Sequence, residues 1–145
     1  MEPVFFEQVL DAVAGAIPAE LKPFRSTVHR GGLKIWFDEI GREHYESQLI
    51  RRDGDLVLEI GFHAEYPKVA ANDAVLAHLA RSEAAWRRVL GPDPVAGEFL
   101  GRATWRRISE CWPAPELDDL DAAIEVAARF ADYIVTIEEH RRKQG

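Results

Sequence analysis

Cysteine is nearly absent from this 145-residue chain: Cys111 stands alone. No intrachain disulfide can form, and a reducing compartment is the expected home. Long apolar runs are absent too, and no stretch approaches the length of a membrane span. The opening Met1-Glu2-Pro3-Val4-Phe5-Phe6-Glu7 lacks the basic region and apolar core of a signal peptide, so the sequence reads as cytoplasmic. Lysine is scarce: Lys22, Lys34, Lys68 and Lys143 stand beside 14 arginines. Against these 18 basic residues are 25 acidic ones, giving a net charge of −7. That balance disfavours nonspecific nucleic-acid binding, which depends on cations replacing the counterions of phosphates. Complete catalytic signatures are missing as well. There is no HExxH or GxSxG pattern, and Gly31-Gly32 and Gly91-Pro92 lack a phosphate-loop context.

What is present points to one folded unit. The 47% hydrophobic fraction and four tryptophans exclude disorder. A chain of this length buries roughly 70% of its unfolded surface, so residues 1–145 are read as a single domain.

The most informative segments are 42–51 and 56–66, joined by Arg52-Asp53-Gly54-Asp55. In the second, Leu58, Ile60, Phe62 and Ala64 alternate with Glu59, Gly61, His63 and Glu65, the period of a strand with one apolar face. Asp-Gly supplies the positive φ values of a two-residue hairpin turn. With that turn, His44 lies opposite His63, Glu46 opposite Gly61, Gln48 opposite Glu59 and Arg42 opposite Glu65. If Ile35 meets Tyr45 on the preceding strand, Trp36 stands beside His44 and Lys34 beside Glu46. A register slip of two keeps the same side chains on the same face.

Elsewhere, Phe6, Val9, Leu10, Val13 and Ile17 recur at helical spacing over 3–17. Thr27 to Arg30 and Leu33 to Asp38 read as strands. Asn72 or Asp73 is placed to cap a helix carrying Val75, Leu76, Leu79, Trp86 and Leu90. Residues 95–100 and 103–112 read as strands, although Trp105-Arg106-Arg107-Ile108 also fits a helix. A final amphipathic helix carries Leu117, Leu120, Ile124, Ala128, Ala131, Ile134 and Val135, with an acidic start and a basic end. The resulting expectation is an α+β fold: an antiparallel sheet of about five strands with helices on one face, in the order α-β-β-β-α-β-β-α.

This order of elements resembles that of type III secretion chaperone-like α+β proteins, which act as dimeric binders of other polypeptides. The likeness is one of topology. It implies a small protein-binding or ligand-binding module, chaperone-like or regulatory, that forms a homodimer.

Two functional readings follow for the polar sheet face. In the first, Trp36, His44, Glu46, Glu59, His63 and Glu65 form a contact surface for a partner or small ligand, with Trp36 as an aromatic anchor and no cofactor. In the second, His44 and His63 with Glu46 and Glu65 hold a divalent metal such as zinc, as a metal-dependent hydrolase or metal-binding protein. No residues that would hold these ligands from behind are evident. A plainer account makes the face a solvated surface on which Arg42 with Glu65 and Lys34 with Glu46 are cross-strand ion pairs. Trp86-Arg87-Arg88 and Trp105-Arg106-Arg107 are read as core tryptophans beside surface arginines rather than as stacking sites. Cys111 is read as a packing residue.

Overall fold

In a computed structural model, residues 4–143 are described. Helix α1 spans Phe5–Ala16, so the expected start near Pro3 lies outside the described residues. A short 3₁₀ turn at Ala19–Leu21 follows where the sequence suggests only a connection. Then come β1 (Arg25–His29), β2 (Gly32–Trp36), β3 (Glu43–Arg52), β4 (Asp55–Ala64), α2 (Val69–Ala80), α3 (Glu83–Leu90), β5 (Val95–Phe99), β6 (Arg102–Pro113) and α4 (Leu120–Arg141).

The fold class is α+β with one antiparallel sheet, as its alternating segments indicate. Its details differ from the expected order in two places. The sheet has six strands rather than five, ordered β1-β2-β3-β4-β6-β5, because four strands precede the first crossover helix. The expected long helix up to Leu90 is two helices. In an unbroken helix the Leu79 carbonyl would accept from Glu83, but here it accepts from the Ser82 N–H at 3.1 Å and from the Trp86 indole at 3.0 Å. Trp86 is buried by this bend. Asn72 is no cap either. It sits inside α2, and its amide ties the Tyr66 backbone to the Thr104 carbonyl.

The hairpin register is the one the Asp-Gly turn dictates. Asp53 and Gly54 have φ of 53° and 85°, and His44 pairs with His63, Glu46 with Gly61 and Gln48 with Glu59. Ile35 pairs with Tyr45 and Lys34 with Glu46. The 103–112 segment is strand, in register with β4 from Val57↔Pro113 to Ala64↔Arg106. Its Ile108 joins the core, while Arg107, Ser109 and Cys111 share the face that carries Glu59 and His63.

Helices α1 and α4 cover the apolar face. Phe6, Val9 and Val13 from α1 and Phe130, Ile134 and Ile137 from α4 are buried with Leu33, Ile35, Tyr45, Ile60 and Phe62 of the sheet. Each such side chain removed from water contributes about 1.5–3 kcal/mol, which is why odd register slips are excluded. Asp119 starts α4 by accepting from the N–H groups of Asp121 and Ala122. Among the described residues, no helix is long and apolar enough to cross a membrane.

One glycine is required by close approach. A Cβ on Gly61 would collide with the Ile108 carbonyl and the Ser109 backbone, so β4 and β6 close up at that point. Gly61 lies between Glu59 and His63, and the tight approach brings Ser109 within hydrogen-bond reach of Glu59.

Candidate metal centre

The four residues singled out as metal ligands meet at one point. His44 Nε2 lies 3.0 Å from Glu46 Oε1 and 3.3 Å from Glu65 Oε2. His63 Nδ1 lies 3.3 Å from each of the same two oxygens. The four atoms all fall within 4.8 Å of one another. Ligand atoms about 2.1 Å from a shared ion are separated by about 3.0 Å at right angles and about 3.4 Å at tetrahedral angles. The four nitrogen–oxygen separations, 3.0 to 3.3 Å, fall within that interval.

The solvated-face account is corrected. His44, Glu46, Glu59 and His63 are all buried, His63 and Glu59 completely. Glu65 is the most open of the four candidate ligands, with 14% of its side chain exposed against 10% for Glu46. The cover comes from the chain itself. A bulge between Glu98 and Phe99 on β5 brings the Phe99 ring edge-on to His63, with centroids 4.5 Å apart. Trp105 stacks edge-on behind Phe99 and carries the Arg102 guanidinium over its own ring, so it is half-buried lining rather than core. Neither expected ion pair forms. Glu46 faces the two histidines, and Arg42 reaches only the backbone carbonyl of Glu65, at 3.5 Å.

Both imidazoles have outer hydrogen-bond partners that alternation along the strands does not reveal. His44 Nδ1 lies 2.8 Å from the Gly41 carbonyl, which only accepts, so that nitrogen carries a proton. Gly41 has φ of 77° and lies against Trp36, in a turn where Asp38 accepts from the Ile40 and Gly41 N–H groups. His63 Nε2 donates to Glu59 Oε2 at 2.8 Å. Glu59 in turn accepts from Ser109 Oγ at 2.7 Å and from Gln48 Nε2 at 2.8 Å. Each imidazole is therefore held through its outer nitrogen, with the inner one aimed at Glu46 and Glu65. This is how metal-bound histidines are oriented. Ser109 and Arg107, which bonds the Ser109 hydroxyl at 3.0 Å, escape the sequence reading because they belong to the segment whose strand assignment was open.

The electrostatics show what the inner nitrogens require. With the outer nitrogens donating, a neutral imidazole would point a lone pair at two carboxylates. His63 Nδ1 is buried without a hydrogen-bond partner. Burial by itself would depress the His63 pKa, but Glu59, Glu46 and Glu65 outweigh it and hold it well above the ordinary value. For His44, burial is again opposed by Glu46 and Glu65, with a net rise. Burial would raise the two carboxylates, yet the histidines bring Glu65 down to about 2 and Glu46 lower still. The site demands positive charge between the rings and the carboxylates. Two protons or one divalent cation supply it.

No protein-family model matches this chain, and no curated protein and no solved structure matches it.

Trp36, the expected aromatic anchor, is half-buried against the Gly41 turn, and its indole Nε1 is buried without a partner.

Proposed function

We propose that this is a metal-binding protein that holds one divalent ion, of the zinc type, between His44 Nε2, His63 Nδ1, Glu46 and Glu65. The observation that carries the reading is the direction of the imidazoles. Both outer nitrogens are engaged, by the Gly41 carbonyl and the Glu59 carboxylate, so both inner nitrogens converge on the same two carboxylate oxygens. Two nitrogen and two oxygen donors without thiolate suit Zn²⁺ and neighbouring divalent transition ions rather than Cu(I) or Ca²⁺. The charge of Glu46 and Glu65 together equals that of one divalent ion.

Binding rather than hydrolysis is the better-supported activity. A hydrolytic centre needs a coordination position reached by water. Both imidazoles are closed to solvent, and the site opens only at its carboxylates, with 10% of the Glu46 and 14% of the Glu65 side chain exposed. A partner-binding module anchored on Trp36 has less support, since that ring is engaged by its own turn. A reducing, cytoplasmic setting agrees with a donor set that uses no cysteine.

The test is native mass spectrometry with elemental analysis of the purified protein, before and after dialysis against chelator and after reloading with Zn²⁺ or Mn²⁺. One ion per chain is expected, lost on dialysis, regained on reloading and abolished by His44→Ala with His63→Ala. A chain that gains no ion from either metal would overturn the proposal.

A further inference from the structure

Beyond the metal centre, on the far side of Glu59, lies a cavity of about 290 Å³ at the level where β5 begins. Its walls include Arg52 from the end of β3 and Arg107, Cys111 and Trp112 from β6. Cys111 is the cross-strand neighbour of Glu59, so this cavity and the metal centre share one face of the sheet.

Arg107 is the unusual wall. It is 5% exposed, and its hydrogen bonds go to the carbonyls of Glu98 and Ser109 and the Ser109 hydroxyl. All three are neutral acceptors, and no carboxylate lies in ion-pairing range of it among the described residues. A buried guanidinium without a counter-anion is costly. The acidic groups nearby do not meet this need. The carboxylate of Glu110 is taken by Arg129, Tyr133 and the Trp112 indole. Asp93 lines the cavity but does not pair with Arg107. Glu59 acts on Arg107 only through space, and its own oxygens are occupied by Gln48, His63 and Ser109. Arg52 adds a second positive charge at the mouth; burial and Glu59 push the Cys111 thiol up, against the lowering effect of Arg52 beside it.

We infer that this cavity is a binding site for a small oxyanion, a carboxylate or phosphate group, held between Arg52 and Arg107 and resting against Cys111. Paired guanidinium donors are the side-chain chemistry best matched to such groups, through charge-assisted and often bidentate hydrogen bonds. The inference does not depend on a bound metal, because none of the proposed ligands touches the group.

Cys111 provides the readout. It is the single cysteine and is partly open to solvent, so its alkylation by iodoacetamide reports whether the cavity is filled. Rates are measured on chelator-treated protein in chloride, inorganic phosphate or oxalate at equal ionic strength. The expected result is saturable protection by phosphate or oxalate over chloride. In Arg52→Ala, an exposed site whose loss does not disturb the core, half-protection should need about tenfold more anion, the cost of one charged hydrogen bond. Equal rates in all three salts would overturn the inference. So would protection that Arg52→Ala leaves unchanged, since the anion would then act elsewhere. Intact protection in a protein that takes up neither Zn²⁺ nor Mn²⁺ on reloading would overturn the metal proposal alone.

Discussion

Glu59 Oε2 accepts the Nε2 proton of His63 at 2.8 Å, and both side chains are completely buried. The carboxylate is itself fixed by Gln48 and Ser109, from the strands on either side of β4. The ring cannot turn without breaking this chain of bonds, so the direction of Nδ1 is set before any ion arrives. Glu59 thus acts through His63 and is a positioning residue.

Glu59→Gln isolates that role. The amide keeps the shape of the carboxylate but loses its charge and part of its accepting capacity. Metal affinity, read by competition with a chromophoric chelator, should fall about 10- to 100-fold, the usual cost of losing such an outer partner. The circular dichroism spectrum should be unchanged. Undiminished affinity would mean that packing against Phe99 alone orients the ring.

Protons compete with the ion, and the sign of each shift decides where. Both histidines have raised pKa values in the folded chain, so in metal-free protein their contribution to stability is complete below the ordinary histidine pKa. It is lost as pH rises through the raised values, when lone pairs come to face Glu46 and Glu65. The two carboxylates are depressed, so their contribution is present above their ordinary pKa and lost as pH falls, for Glu65 through about 2. Denaturation of chelated protein should therefore show stability declining above neutral pH, and added Zn²⁺ should reverse the decline. Titration calorimetry at mildly acidic pH in buffers of differing ionisation enthalpy should show release of about two protons per ion bound. Binding with no proton release would contradict the protonated cluster.

The grouping of the candidate ligands was legible in the sequence because a two-residue turn fixes register, and register fixes which side chains share a face. His44, Glu46, His63 and Glu65 follow from Asp53-Gly54 and alternation alone. Their burial was not legible. Alternation separates an apolar from a polar face but does not report what lies over the polar one, and the cover is Phe99, delivered by a bulge with no local signature. The outer partners of the two imidazoles were hidden for related reasons. Gly41 contributes a backbone carbonyl, which carries no side-chain signal, and Ser109 lies on a strand whose arginine and tryptophan spacing also suited a helix. The split of α2 from α3 depends on a tertiary bond from Trp86 to a carbonyl, which periodicity cannot show.

Gly61 tests the link between backbone approach and site geometry. Gly61→Ala places a methyl group against the Ile108 carbonyl and Ser109, so β4 and β6 must part. A loss of about 1–3 kcal/mol is expected in urea denaturation, the range for forcing a methyl group into filled space. Ser109 would then withdraw from Glu59, and metal affinity should fall together with stability. Full affinity in a destabilised variant would show that Ser109 contributes nothing to holding His63.

Glu138 lies far from the His44–His63 cluster, on the other face of the sheet, and explains how α4 is locked to β3. Its carboxylate accepts from the Tyr45 hydroxyl at 2.8 Å, from Arg141 at 2.7 Å through two nitrogens and from Arg142 at 2.7 Å. Burial would raise its pKa, but Arg141 and Arg142 with the Tyr45 hydroxyl prevail and lower it. A depressed carboxylate stabilises the fold above its ordinary pKa and ceases to do so as pH falls through the folded value. Arg142 is half exposed and contributes little, so the effect rests on Tyr45 and Arg141. Glu138→Gln should cost about 1.5–3 kcal/mol at neutral pH in urea denaturation, the range for hydrogen bonds to a charged group. As pH falls below the ordinary carboxylate range towards the depressed folded value, the gap between the two proteins should narrow, because the unfolded chain then takes up a proton that the native carboxylate still resists. Metal affinity should be untouched, since none of these residues reaches His44 or His63. A gap that stays constant with pH would assign the loss to packing of the amide rather than to the charge.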